Sequence, residues 1–179
     1  VGRLPVKIHL HKSEAAYATK ISGLSTSDLV LTDAGDDFVV GDIPIKFLHT
    51  PGHTPGSQCF LVDGNLVSCD TLFIGSCGRV DLPGSSPEDL WRSLTGTLKV
   101  LPEETILYPG HNYSDRSTST IGDEAKKNPY MRFGKLQDFL SVMGYCRGRV
   151  RTVARASAVA RRHRRCPGGS PRDTRGVAT

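Results

Sequence analysis

The chain reads as an α/β domain. Three observations carry that reading: short β-branched runs, Gly, Pro and Asp punctuation between them, and helical patterns with good start and stop signals. At 179 residues with 37% apolar content, it is long enough to bury a core as one globular domain. No apolar run is long enough to span a bilayer, and no basic stretch followed by an apolar one marks a secretion signal. The first residue is Val1 rather than Met, so further sequence is expected upstream.

Strands are expected at residues 6–11, 38–40, 45–50, 57–62, 66–68 and 105–108. Asp63-Gly64-Asn65 reads as a hairpin turn joining two of them. The clearest helix starts at Ser86, a good N-cap, with Pro87 at the first helical position and Glu88 and Asp89 in the first turn, where negative charge suits the helix dipole. It is expected to run to about Lys99. A second helical segment is expected over 116–128, stopped by Pro129, and a third over 135–143, stopped by Gly144.

The net charge of +5 hides an asymmetry, because residues 145–179 hold ten Arg and one acid while the rest of the chain is acidic overall. That Arg-rich tail lacks periodicity and is assigned to disorder, leaving residues 1–144 as the domain. A nucleic-acid contact is disfavoured because no aromatic residue is interleaved for base stacking. The five cysteines form no Cys-x-x-Cys pair, and an odd count with loose spacing argues against a zinc ribbon or a disulfide framework. Reduced thiols and a cytoplasmic setting are the expectation.

Three residues share a context that points to metal chemistry. His53 follows the strand ending near Thr50, Asp70 follows the one ending near Ser68, and His111 follows Tyr108-Pro109-Gly110. If those strands neighbour one another, the side chains converge at one sheet edge, held by Pro/Gly loops. Two imidazoles and a carboxylate suit zinc or iron, and an Asp can bridge two ions through its two oxygens. Singly, each has a bland explanation: a turn histidine, a cap, a loop residue.

The literal segments are His49-Thr50-Pro51-Gly52-His53-Thr54-Pro55-Gly56-Ser57, Asp70-Thr71-Leu72-Phe73 and Tyr108-Pro109-Gly110-His111-Asn112-Tyr113. In that order they resemble the metallo-β-lactamase superfamily, in the branch of glyoxalase II (hydroxyacylglutathione hydrolase) and the persulfide dioxygenases. The resemblance covers residues 1–144 and implies an αββα sandwich lacking its N-terminal strands. It implies that His53 is a ligand of a first metal site, Asp70 the bridging and catalytic aspartate, and His111 the last ligand of a second, with two zinc ions in the intact parent or iron instead. His49 is not a ligand by this match.

Members carry further ligands on a His-x-His-x-Asp-His motif, absent here. His9 and His11 have the first spacing but are followed by Lys12 and Ser13, and period-two placement on a strand accounts for them. Their flanks resemble the strand and helix after the motif, so the motif is expected immediately before Val1. Each metal would then keep two ligands, and this chain alone is expected to bind metal weakly and hydrolyse nothing efficiently. Missing strands also imply exposed apolar surface and aggregation.

Cys77-Gly78-Arg79-Val80-Asp81 resembles the stretch that holds glutathione in glyoxalase II, so Arg79 is a substrate-binding candidate, beside an equally good reading as a structural ion pair with Asp81. Tyr113 matches a substrate-binding Tyr, with packing the alternative. Cys69 stands where relatives usually carry Gly and is a poor nucleophile for want of a base. The function implied is metal-assisted hydrolysis of a small thioester or ester, such as a glutathione thioester. Two alternatives stand: an iron-dependent persulfide dioxygenase, and a fragment acting only through its basic tail. The helical C-terminal domain by which glyoxalase II binds glutathione is not recognisable after Gly144.

Overall fold

A computed structural model of the protein describes residues 6–145. The strands are β1 (Ile8–His11), β2 (Leu29–Thr32), β3 (Asp37–Val40), β4 (Ile43–His49), β5 (Gln58–Val62), β6 (Asn65–Cys69), β7 (Leu72–Phe73), β8 (Ser76–Cys77), β9 (Ile106–Pro109) and β10 (Ser119–Thr120). The α-helices are α1 (Ala15–Ser22), α2 (Pro87–Arg92), α3 (Ile121–Lys127), α4 (Pro129–Arg132) and α5 (Leu136–Val142). Six strands form one mixed sheet in the order β10-β9-β6-β5-β4-β3, while β1 and β2 pair in parallel and β7 and β8 form a small hairpin.

Local chemistry explains the central sheet. Asp63 and Gly64 have φ of 44° and 71°, the left-handed pair that a two-residue hairpin turn requires, so β5 and β6 pair with Val62 opposite Asn65. β6 and β9 run parallel, which needs a long crossover, and the chain supplies it through β7, β8 and α2. Ser86 caps α2 as expected: its hydroxyl accepts from the Asp89 N–H at 3.1 Å. The helix continues through a π-helical turn, Ser93–Leu98, to Lys99.

The pleat sorts side chains onto two faces. Leu66 and Leu107, opposite each other on β6 and β9, are fully buried with Cys59 beneath Leu90, Leu94, Leu98, Ile121, Met131 and Phe139. On the other face Phe47, Phe60, Val67 and Tyr108 lie side by side across four strands, and Val67 and Tyr108 are exposed. The β1–β2 pair covers one end of that face, with the His9 ring 4.1 Å from Phe38 and 6.2 Å from Phe47. The α/β class and the partial sandwich are as expected, with the second layer represented among the described residues by β1 and β2.

Several expectations are corrected. The second helix does not start at residue 116: Ser119 and Thr120 pair with β9, and the Thr120 hydroxyl caps α3 at the Asp123 N–H, so the helix begins at Ile121. Pro129 stops it, but Asn128 then caps α4, a turn that the sequence reading missed. β2 was also missed, because its only described ladder is to β1, twenty-one residues away. Tyr145, assigned to the tail, packs against the core and donates its hydroxyl to the Val80 carbonyl at 2.7 Å. The rest of the Arg-rich tail lies outside the described residues. No helix among the described residues is long and apolar enough to cross a membrane.

Candidate metal centre

His53, Asp70 and His111 meet at one end of the sheet. β4 delivers the His53 loop, which is closed by the Thr50 N–H donating to the Ser57 carbonyl at 2.8 Å. Both ends of α2 steady the loop: the N-cap Ser86 N–H donates to the Gly52 carbonyl at 2.8 Å, and the Ser93 hydroxyl, just past its last residue, donates to the Pro51 carbonyl at 2.7 Å. β6 delivers Asp70 through a sharp bend, where Cys69 takes φ of 46° and the Gly110 N–H donates to its carbonyl at 2.9 Å. β9 delivers His111. The buried hydroxyls of Thr50 and Thr71, 2.9 Å apart, tie the His53 and Asp70 loops together.

Asp70 sits between the two histidines. Its Oδ2 lies 3.6 Å from His53 Nε2, and its Oδ1 lies 3.2 Å from His111 Nε2. His53 Nδ1 is 2.9 Å from the Arg79 carbonyl. A carbonyl only accepts, so in the neutral ring Nδ1 carries the hydrogen and Nε2 presents a lone pair to the carboxylate. Two acceptors facing each other leave room that a cation satisfies, and a backbone carbonyl on the second ring nitrogen is the usual support of a ligating histidine. The residues therefore fit two half-sites sharing Asp70, each with two protein donors. Among the described residues no group of three or more His, Cys, Asp or Glu side chains is placed to hold a metal ion.

Close packing fixes Asp70 from below. A Cβ on Gly78 would lie 2.0 Å from the Asp70 carbonyl oxygen and 3.3 Å from His53 Cβ, so only glycine fits between the two candidate ligands. Glu124, 2% exposed, holds the hairpin after Asp70: it accepts from the Gly75 N–H at 2.8 Å, the Ser119 hydroxyl at 2.7 Å and the Asn128 amide at 2.9 Å. The sequence reading missed both Glu124 and the Arg79 carbonyl; a carbonyl has no side-chain signature, and Glu124 lay inside an apparently ordinary helix.

The remaining candidates are placed as follows. The Arg79 guanidinium makes a two-point ion pair with Asp81, Nε to Oδ1 at 2.6 Å and Nη2 to Oδ2 at 2.7 Å. Tyr113 is exposed, lies nearly parallel to the His111 ring at 5.6 Å and meets the Phe73 edge at 5.2 Å. Burial first, and then the neighbouring Asp70, hold the Cys69 thiol above its ordinary range, which suits its expected inertness. Burial pushes the Cys59 and Cys77 thiols up to about 12, and all three are unbridged.

The sequence profile of the Metallo-beta-lactamase superfamily matches residues 2–111. The probable polyketide biosynthesis zinc-dependent hydrolase BaeB of Bacillus velezensis is 31% identical over 114 residues, covering 64% of this chain and 51% of that protein. Among solved structures, ETHE1 from Myxococcus xanthus superposes with a TM-score of 0.63 at 28% identity, covering 75% of this chain and 65% of the other. TTHA1623, solved in a di-iron-bound form, superposes with a TM-score of 0.58 at 33% identity, covering 73% and 67%. The chain spans about half the length of the curated relatives it matches.

Proposed function

The chain belongs to the metallo-β-lactamase superfamily, and from that premise we propose that its parent protein is a cytoplasmic metal-dependent hydrolase of a small thioester or ester, with a glutathione thioester as the leading candidate. One observation carries the reading: the two oxygens of the Asp70 carboxylate face the Nε2 atoms of His53 and His111 at 3.6 and 3.2 Å. Zinc is the favoured metal, by analogy with the zinc-dependent relative BaeB. When bound, such ions acidify a water and polarise the carbonyl under attack. Asp70, with a histidine Nε2 facing each carboxylate oxygen, would help to hold both ions. His53, held by the Arg79 carbonyl, would present its Nε2 lone pair to one ion, and His111, packed against Tyr113 and Phe73, would hold the other. Tyr113 offers an exposed ring and hydroxyl to substrate, and Arg79 offers charge for a carboxylate once it exchanges its partner Asp81.

A second reading, an iron-dependent persulfide dioxygenase, is favoured by the Cys77-Gly78-Arg79-x-Asp81 stretch; the likeness to the di-iron-bound TTHA1623 supports iron as the metal only. The test is on the whole parent protein, loaded with zinc or iron. Thioester hydrolysis without oxygen uptake is expected; oxygen consumption with persulfide in the iron-loaded protein overturns the hydrolase in favour of the dioxygenase. Among the described residues each half-site has two donors where a catalytic zinc takes three and a water, so calorimetric titration of the 179-residue chain is expected to show weak zinc binding, and tight stoichiometric binding would contradict this. Salt-sensitive nucleic-acid binding that disappears on truncation at Gly144 would favour the basic tail as the working part instead.

A further inference from the structure

A second histidine cluster lies outside the metal centre, where β1 meets β4. His11 is 2% exposed, and its ring stacks on His49 with centroids 3.9 Å apart and planes 10° apart. His11 opposes Thr32 in the β1–β2 ladder, and His49 opposes Gln58 in the β4–β5 ladder. The Thr32 hydroxyl donates to Gln58 Oε1 at 3.2 Å, so the four residues close a square between the two sheets. Two buried nitrogens in it, His11 Nε2 and Gln58 Nε2, have no hydrogen-bond partner.

The hydrogen bonds assign the ring states. The Ser13 N–H donates to His11 Nδ1 at 3.3 Å, so neutral His11 carries its hydrogen on Nε2, 3.7 Å from Asp33 Oδ1. His49 Nε2 lies 2.9 Å from the Pro55 carbonyl and is therefore a donor. Any added proton on His11 must go to Nδ1, where it displaces the Ser13 N–H and uncaps the turn Lys12–Glu14. That turn carries Glu14, whose Oε1 accepts from the Gly56 N–H at 2.7 Å, within the loop that bears His53. Protonation also sets a cation against the His49 ring.

We infer that His11, stacked on His49, forms a latch that works only while the His11 ring is neutral: the stack and the Glu14–Gly56 bond seat the β1–α1 segment on the His53 loop, and acidification releases it. The charged and titratable groups facing His11 are His49, Asp33, Lys12 and Glu14. Burial, then His49, hold the ring below its ordinary range; Asp33 and Glu14 oppose this and Lys12 adds to it. The latch stands on packing and hydrogen bonding alone and holds whatever chemistry the His53 loop performs.

The test is amide hydrogen exchange on the full 179-residue chain, with a chelator present, resolved by NMR at about pH 8 and about pH 5. The protection factor of the Gly56 amide is expected to fall at least about tenfold relative to amides of β6 and β9 on acidification. In His11→Phe, which keeps a stacked ring but can neither titrate nor accept from the Ser13 N–H, Gly56 protection is expected to be lower than in the unsubstituted chain at about pH 8 and to change little between the two pH values. Asp33→Asn alters a half-exposed side chain and removes the carboxylate facing Nε2, so there the loss is expected to move to lower pH. Gly56 protection that survives at the lower pH, an equal loss in His11→Phe, or an unmoved midpoint in Asp33→Asn each overturns the latch.

Discussion

Two histidine–aspartate pairs in this molecule have almost the same length and opposite character. His53 Nε2 lies 3.6 Å from Asp70, and His11 Nε2 lies 3.7 Å from Asp33. In the first pair a backbone carbonyl takes the Nδ1 hydrogen, so a lone pair faces the carboxylate; in the second a backbone N–H occupies Nδ1, so an N–H faces it. One arrangement wants a metal cation and the other already holds a proton. The distance between imidazole and carboxylate says little; the group on the far ring nitrogen decides what the pair can do.

The largest effect that separates the pairs is expected in metal binding. In the whole parent protein Asp70→Asn is expected to lower zinc affinity more than about a hundredfold, while Asp33→Asn leaves it unchanged, as read by competition with a chromophoric chelator. Equal losses in the two variants would erase the distinction.

Acid is expected to separate them next. Because the folded-state pKa of His11 is depressed, the unfolded chain binds the proton more readily. His11 therefore contributes fully above the unfolded value of about 6.5, and stability falls as pH drops below it, by up to about 1.4 kcal/mol per pH unit until the folded ring itself titrates. Urea denaturation of the parent chain and of His11→Phe over that range is expected to differ by this slope.

Two smaller effects sharpen the picture of the metal end. Cys69 holds φ of 46° with a side chain that this conformation disfavours, so Cys69→Gly is expected to stabilise the fold by about 1 kcal/mol in thermal melts. Arg79 and Asp81 are exposed, and Arg79→Ala is expected to leave the thermal melt almost unchanged while its carbonyl still holds His53. A larger KM for a glutathione-linked substrate with an unchanged melt would assign the guanidinium to substrate.

The legible parts of the fold were those written in local chemistry. Ser86-Pro87-Glu88-Asp89 announces a helix start because a cap, a fixed φ and a dipole-matched charge act within one turn. Asp63-Gly64 announces a hairpin for the same reason. Residues 116–120 misled because their polar, helix-compatible composition says nothing of the β9 edge that recruits Ser119 and Thr120. In the metal centre the three ligand candidates were legible as ordered motifs, whereas Arg79 acts through a carbonyl and Glu124 through partners four to forty-nine residues away.

By itself the sequence determined the α/β class, the family, the hairpin between β5 and β6, and the three candidate metal ligands, because each depends on periodicity or on a motif of adjacent side chains. Only the tertiary structure decided that Asp70 faces both histidines, that His53 and His11 expose opposite ring chemistry, and that His49 stacks on His11. Those outcomes depend on which backbone group reaches a ring nitrogen from a distant strand or turn, and no local pattern of residues encodes that approach.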